Sequence, residues 1–136
     1  MPTFSQRSLG QLATCDQRLQ SIAHAAIKIM DFVVVEGHRD KQGQDMAIVK
    51  GTTKVHWPHG KHNSSPSKAM DVMPYPIDLS NDPKALERFV LLQGILFAVA
   101  HSLGIKVRLG IDWDGDLDTR DEKGLRDYPH IELLEV

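Results

Sequence analysis

Apolar and polar positions along this chain repeat with more than one period, and the switches between periods mark its elements. Leu19, Ile22, Ala23, Ala26 and Ile27 recur at helical spacing behind Thr14 and Gln17, a pair with the form of a capping box, which predicts a helix over 15–29. Phe32-Val33-Val34-Val35 is a β-branched run too short for a helix and is stopped by Gly37. It reads as a buried strand that delivers Glu36, His38 and Arg39 to its end. A short helix over 41–50 follows, closed by Gly51 where a left-handed residue is wanted.

Residues 52–68 hold Pro58, Gly60, Pro66 and several Asn and Ser without an apolar period, so they read as a long loop. Loops of that length in compact domains usually carry function. A strand over 69–73 places Asp71 on a rigid element and His62 in the loop that leads to it. Asp82 before Pro83 has the form of a helix start. Leu86, Phe89, Val90, Gln93, Leu96, Phe97 and Ala100 then mark one long core helix ended by Gly104. Strands over 105–109 and 130–134 complete the pattern, separated by an acidic loop.

Composition narrows the class. With 136 residues, 41% hydrophobic and 25% charged, the chain reads as one globular domain over 1–136 without linker or repeat. At this size folding buries roughly 68 to 70% of the surface the unfolded chain exposes, so a core needs no external staple. No apolar run of about 20 residues stands out, so no membrane partner is expected. A net charge of -2 withholds the attraction to phosphate on which non-specific nucleic-acid binding rests, and no nucleic-acid partner is expected. Cys15 has no partner for an internal disulfide and reads as a small buried hydrophobe among Leu12, Leu19 and Ile22. Residues 1–7 lack a basic segment followed by an apolar stretch, so a chain made in the cytoplasm without a signal peptide is expected.

The candidate chemistry comes from residues on different elements. His62, Asp71 and His130 supply two imidazoles and a carboxylate, the ligand set of a catalytic zinc ion with one position open. Such an ion lowers the pKa of its water from 15.7 to about 7, which points to hydrolysis. Asp71 between Met70 and Val72 is the most telling of the three, because a buried unpaired carboxylate costs on the order of several kcal/mol. His62, in a turn, also reads as a solvated loop residue. Asp127 stands near His130 without being needed as a ligand and is the candidate base, on a loop because Pro129 disfavours a helix interior. Arg39 at a strand end suits a substrate carboxylate or a developing oxyanion, and equally a surface salt bridge.

Other residues compete for attention. His56 and His59 share a spacing of three with His62, but Pro58 and Gly60 argue against one helical face, so they are not taken as ligands. Met70 and Met73 read as core, His24 and His101 as structural or solvent-facing, and His38 as support for the ligands. Asp112, Asp114, Asp116 and Asp118 alternate like the carboxylates of a calcium loop. With Asp112 as the first position, Leu117 falls where an EF-hand has its turn glycine and Lys123 where it has its bidentate glutamate. A solvated acidic turn and a non-EF calcium or regulatory site both stay open.

Glu36-Gly37-His38-Arg39, His62-Asn63 through Pro66-Ser67-Lys68-Ala69-Met70-Asp71-Val72-Met73-Pro74-Tyr75, Gly110-Ile111-Asp112-Trp113-Asp114-Gly115-Asp116 and Asp127-Tyr128-Pro129-His130-Ile131-Glu132-Leu133 together resemble a known family. It is that of the phage endolysins among the D-alanyl-D-alanine carboxypeptidase-like zinc peptidases, and the resemblance spans nearly the whole chain. It implies an L-alanyl-D-glutamate peptidase that cuts the peptidoglycan stem peptide and so lyses the host. It also implies a small α+β fold of hedgehog type, an antiparallel sheet with packed helices around one zinc ion. Carried over by position, His62, Asp71 and His130 are the implied zinc ligands, Asp127 the catalytic base and Arg39 the arginine that meets substrate and oxyanion. Calcium stimulation among phage relatives raises the regulatory reading of the acidic loop.

The implied partner is bacterial peptidoglycan, met in the periplasm after release by a monomer without a separate cell-wall-binding module. Two departures from the wider superfamily stand out, a longer His-to-Asp spacing of nine residues and Asp127 where glutamate is common. Within the enzyme class the alternative is a D-alanyl-D-alanine carboxypeptidase or dipeptidase, for which Arg39 would meet a terminal carboxylate. A non-catalytic domain that holds zinc is the alternative of another class, and a spare carboxylate at Asp127 speaks against it.

Overall fold

Strand-forming runs of Val, Ile, Leu and Met pair into one antiparallel sheet, and the computed structural model describes residues 2–80, 82–121 and 126–135. In chain order the elements are α1 (Gln6–Leu12), α2 (Gln17–Ala26), β1 (Phe32–Glu36), α3 (Lys41–Lys50), β2 (Ala69–Pro74), α4 (Pro83–Ser102), β3 (Val107–Leu109) and β4 (His130–Leu133). The strands lie in the order β1-β2-β4-β3, every neighbouring pair antiparallel. The α+β architecture with helices packed on an antiparallel sheet is therefore the one that the family resemblance implies.

Side chains alternate across a strand, so each strand offers one face to the core and one to the opposite side. Phe32, Val34, Met70, Val72, Val107, Leu109, Ile131 and Leu133 join Leu19, Ile22, Ala23 and Ala26 of α2 and Leu92, Leu96, Val99 and Ala100 of α4 in a single core cluster. Truncating a leucine there to alanine costs about 2–5 kcal/mol. The opposite face carries Asp71, His130 and Glu132. All four residues of β4 are buried, so its two polar side chains must find partners on that face.

Helix α1 is the element that the apolar pattern does not predict. Ser5 accepts from the Ser8 N–H at its start, and its own polar side chains then cover the outer edge of β1. Ser8 Oγ accepts from Val34 N–H at 3.1 Å, Gln11 Oε1 from Gly37 N–H at 3.1 Å, and Thr14 Oγ1, just beyond the helix, from His38 N–H at 2.8 Å. An edge strand with unpaired N–H groups is a liability, and these acceptors remove it. The same contacts correct the expected capping box at Thr14. Its hydroxyl donates to the Gln11 carbonyl at 2.6 Å, and Asp16 caps α2 instead, accepting from Arg18 N–H at 2.9 Å.

The remaining boundaries differ little from expectation. Gly51 closes α3 at φ 75°, and Asp82 caps α4 by accepting from Lys84 N–H at 2.9 Å. Strand β3 starts later than predicted because Ile105 N–H is already bonded back to the Ala100 carbonyl at 2.9 Å. Helix α4 has no unbroken apolar run of bilayer length, yet with 20 residues and a mean hydropathy of 1.3 over 18 of them it is long and apolar enough to cross a bilayer. In this fold its apolar side is spent on the core, and Gln93 within it donates to the Tyr128 carbonyl at 2.7 Å.

Candidate metal centre

His62, Asp71 and His130 reach one point from three separate elements. His62 sits on a short 3-10 turn (Lys61–Asn63) inside the loop 52–68, Asp71 on β2, and His130 at the start of β4, where the register sets it directly opposite Asp71. One ligand atom from each lies within 4.8 Å of the other two. His62 Nε2 is 3.3 Å and His130 Nδ1 3.4 Å from Asp71 Oδ1. His62 Nε2 and Asp71 Oδ1 are buried without a hydrogen-bond partner, which a fold tolerates only where something else satisfies them.

The far side of each ring fixes its tautomer. His62 Nδ1 lies 2.8 Å from the Gly37 carbonyl, which can only accept, so Nδ1 carries the proton and Nε2 presents a lone pair. Gly37 is where the chain must come close, because a Cβ there would lie 2.3 Å from Thr14 Oγ1 and 2.6 Å from the Gln11 carbonyl oxygen. His130 Nε2 donates to Glu132 Oε1 at 2.9 Å, which turns Nδ1 toward Asp71, and Glu132 is in turn paired with Arg108 Nη2 at 3.0 Å. A histidine held from behind by a carboxylate is the usual support of a metal ligand. Trp113 packs on His130 with ring centres 5.5 Å apart, and Arg108 lies 5.7 Å over the Trp113 ring.

Charge at the centre is strongly coupled. Burial works against ionising Asp71, yet His130 and His62 outweigh it and hold the carboxyl far below the usual range. Burial likewise opposes a charged His130, but Asp71 and Glu132 push it up to about 9. Asp127 moves the other way. Its half-buried carboxyl is raised above the usual value by burial and by the Asp71 charge, against the opposing influence of His130, His62 and Arg39. Those influences place it in the field of the three donor residues without making it one of them.

The backbone around Asp127 is pinned. Its N–H donates to the Gly110 carbonyl at 2.8 Å, and Gly110 N–H donates to the His130 carbonyl at 2.8 Å. A Cβ on Gly110 would sit 2.1 Å from the Asp127 carbonyl oxygen, so only glycine lets the two strands of chain approach this closely. Arg39 closes the other side. Its N–H donates to the His62 carbonyl at 2.7 Å, its Nε donates to Glu36 Oε1 at 2.5 Å, and its Nη2 lies 3.9 Å from Asp71 Oδ2.

With this geometry in place, residues 2–134 match the family model described as phage L-alanyl-D-glutamate peptidase. The chain belongs to that family. It is 33% identical over 135 residues to the L-alanyl-D-glutamate peptidase of Escherichia phage T5, covering 96% of this chain and 97% of that protein. The fold is similar to that in the crystal structure of the Serratia marcescens L-Ala D-Glu endopeptidase ChiX. There the TM-score is 0.75 at 20% identity, over 98% of this chain and 90% of that one. The phage peptidase family thus accounts for the whole described sheet and for the loops around it.

The other candidates fall outside the centre of this peptidase. His56 and His59 are exposed and take no part in the donor group. His38 Nδ1 bonds the Ser64 carbonyl at 2.9 Å rather than either ligand ring. Asp112, Asp114 and Asp116 do gather, each offering an oxygen within 4.8 Å of the others, whereas Asp118 instead pairs with Arg120 at 2.8 Å. Leu117 adopts φ 62°, the left-handed backbone expected of the glycine that an EF-hand would have there, and its N–H donates to Asp112 Oδ2 at 2.9 Å. Lys123 lies outside the described residues. Sequence reasoning missed Glu132, Arg108 and Trp113. The signal for Glu132 was its position two residues after His130, on the same face of the strand.

Proposed function

We propose that this peptidoglycan peptidase is a zinc enzyme that hydrolyses the bond between L-alanine and D-glutamate in the stem peptide. The observation that carries the proposal is the convergence of His62 Nε2, Asp71 Oδ1 and His130 Nδ1, two of them buried without any other partner. Two imidazoles and a carboxylate suit zinc, which when bound acts as a Lewis acid and lowers the pKa of water to about 7.

The chain's own residues supply the rest of the chemistry. Asp127 takes the proton of the attacking water and returns it to the leaving amine of D-glutamate, and its raised pKa brings it nearer to the working pH of such a shuttle. Arg39 supplies a cation either to a substrate carboxylate or to the oxyanion that develops on the scissile carbonyl. Glu132 and Arg108 keep His130 in one tautomer and one orientation.

The acidic loop carries a second, subordinate reading as a calcium-responsive element. Asp112 is 4% exposed, its Oδ1 has no hydrogen-bond partner, and it belongs to the cluster with Asp114 and Asp116. Trp113, its neighbour in sequence, is the ring that packs on His130, which gives the loop a route to the centre.

Purified protein incubated with defined peptidoglycan fragments, with and without a zinc chelator, tests the main reading by mass spectrometry. Chelator-sensitive products cut between L-alanine and D-glutamate are expected. Release of terminal D-alanine would instead indicate the carboxypeptidase, and zinc binding without cleavage a non-catalytic domain.

A further inference from the structure

Gln44 is a buried polar residue that none of these roles employs. It lies on α3 and is 1% exposed, and its amide is engaged at both ends. Oε1 accepts from Arg39 Nη1 at 3.2 Å and from Asn63 Nδ2 at 2.9 Å, while Nε2 donates to the Val55 carbonyl at 2.5 Å. Asn63 closes the triangle, its Nδ2 donating also to the Arg39 carbonyl at 3.1 Å and its Oδ1 accepting from Gly60 N–H at 2.9 Å. Arg39, the turn that bears His62, and the returning loop at Val55 are thus tied through one side chain.

We infer that Gln44 is a positioning residue that fixes the plane of the Arg39 guanidinium at the edge of the metal centre, an inference that rests on the role proposed above for Arg39. Glu36 grips the guanidinium from the other side, but its side chain is 36% exposed, so water competes for that contact. Glu36 Oε1 takes both Nε and Nη2, so held by Glu36 alone the guanidinium would still pivot about one oxygen. The Nη1 contact from a buried amide adds a second point of attachment, and two points define an orientation. The amide does this without adding charge. Glu36 already pairs with the cation, and a second carboxylate in this place would outweigh the charge that the substrate has to meet, which gives a physical reason for Gln rather than Glu beside a half-buried arginine. Gln44 and Ala47 are the buried residues of α3, and alanine packs without orienting anything.

The test is a double-mutant cycle between Gln44→Leu and Arg39→Ala on stem-peptide cleavage, alongside an NMR reading of the Arg39 Nε–H signal in labelled protein. Gln44→Leu is expected to lower kcat/KM by about 10- to 100-fold in the wild-type background, the scale of a misplaced catalytic group. With Arg39 already alanine it is expected to cost less than about twofold more, since coupled residues are not additive. Bound metal is expected to stay unchanged, and the Arg39 Nε–H signal to shift or broaden. Gln44→Met removes the acceptor on an unbranched side chain of similar length and serves the same cycle if the leucine variant does not fold. An equal loss of activity in both backgrounds would overturn the inference. An unchanged Arg39 signal would overturn it by itself, whatever reaction the enzyme catalyses.

Discussion

The metal centre and the acidic loop are both clusters of three ligand-type side chains gathered within 4.8 Å, yet they use their atoms in opposite ways. At the centre, every ring nitrogen that faces away from the shared point is consumed by the protein, His62 Nδ1 by Gly37 and His130 Nε2 by Glu132. Of the atoms that face inward, His62 Nε2 and Asp71 Oδ1 are left without a hydrogen-bond partner. In the loop the carboxylates mostly turn back on their own chain, Asp112 to Leu117 N–H, Asp114 to Asp116 N–H and Asp116 to Asp118 N–H. Burial divides them less sharply, since His62 and His130 are buried and Asp71 half-buried, while in the loop Asp112 is buried with Oδ1 unpartnered and Asp114 and Asp116 are exposed. A cluster becomes a strong binding site when its inward atoms are both dry and unsatisfied, and mere proximity of acids falls short of that.

That contrast orders the expected effects. Removing a ligand should be the most severe. His62→Ala is expected to lower zinc occupancy itself, with cleavage falling beyond the about 100- to 10,000-fold that loss of a general base alone would cause. Elemental analysis of the purified variant checks it, and full occupancy would remove His62 from the ligand set. Loosening the support behind a ligand should cost less. Glu132→Gln is expected to weaken zinc affinity by about 10- to 100-fold, measured by chelator competition, while leaving the sheet intact.

Proton competition gives a third, graded effect. In the metal-free protein His130 is raised from 6.5 to about 9, so it holds its proton across neutral pH and contributes stability that is complete below 6.5 and lost as pH rises through about 9. An incoming ion must displace that proton. Zinc affinity is therefore expected to rise with pH by about tenfold per unit up to about 9 and then level off. A flat profile between neutrality and pH 9 would contradict the assignment of His130 Nδ1 as a donor.

The loop should respond least. Under the calcium reading, saturating calcium is expected to raise Tm by roughly 2–8 °C, and Asp114→Asn to reduce that rise. No response of Tm or activity to calcium would leave the loop a solvated turn.

Much of this was legible because elements with a clear apolar period also position the site. The β-branched run at Phe32, the strand around Asp71 and the capped helix after Asp82 all fall close to where the pattern predicts them. Helix α1 escaped because its work is polar, with Ser8 and Gln11 turned toward the edge of β1, and such contacts leave no hydrophobic period. Gln44 and Asn63 escaped for a related reason, since a buried amide looks in sequence like any surface amide until its partners from distant segments are known. His62, Asp71 and His130, which the fold gathers at one point, were legible as candidate ligands from residue type and neighbours. The Glu132 and Arg108 support became visible only once the sheet register brought β3 beside β4.

If three residues hold the ion while a fourth moves the proton, Asp127→Ala separates the two roles when zinc content and stem-peptide cleavage are measured on the same sample. Full zinc, a folded protein and cleavage reduced by about 100- to 10,000-fold are expected. Cleavage at the wild-type rate, or loss of zinc along with activity, would contradict that division of roles.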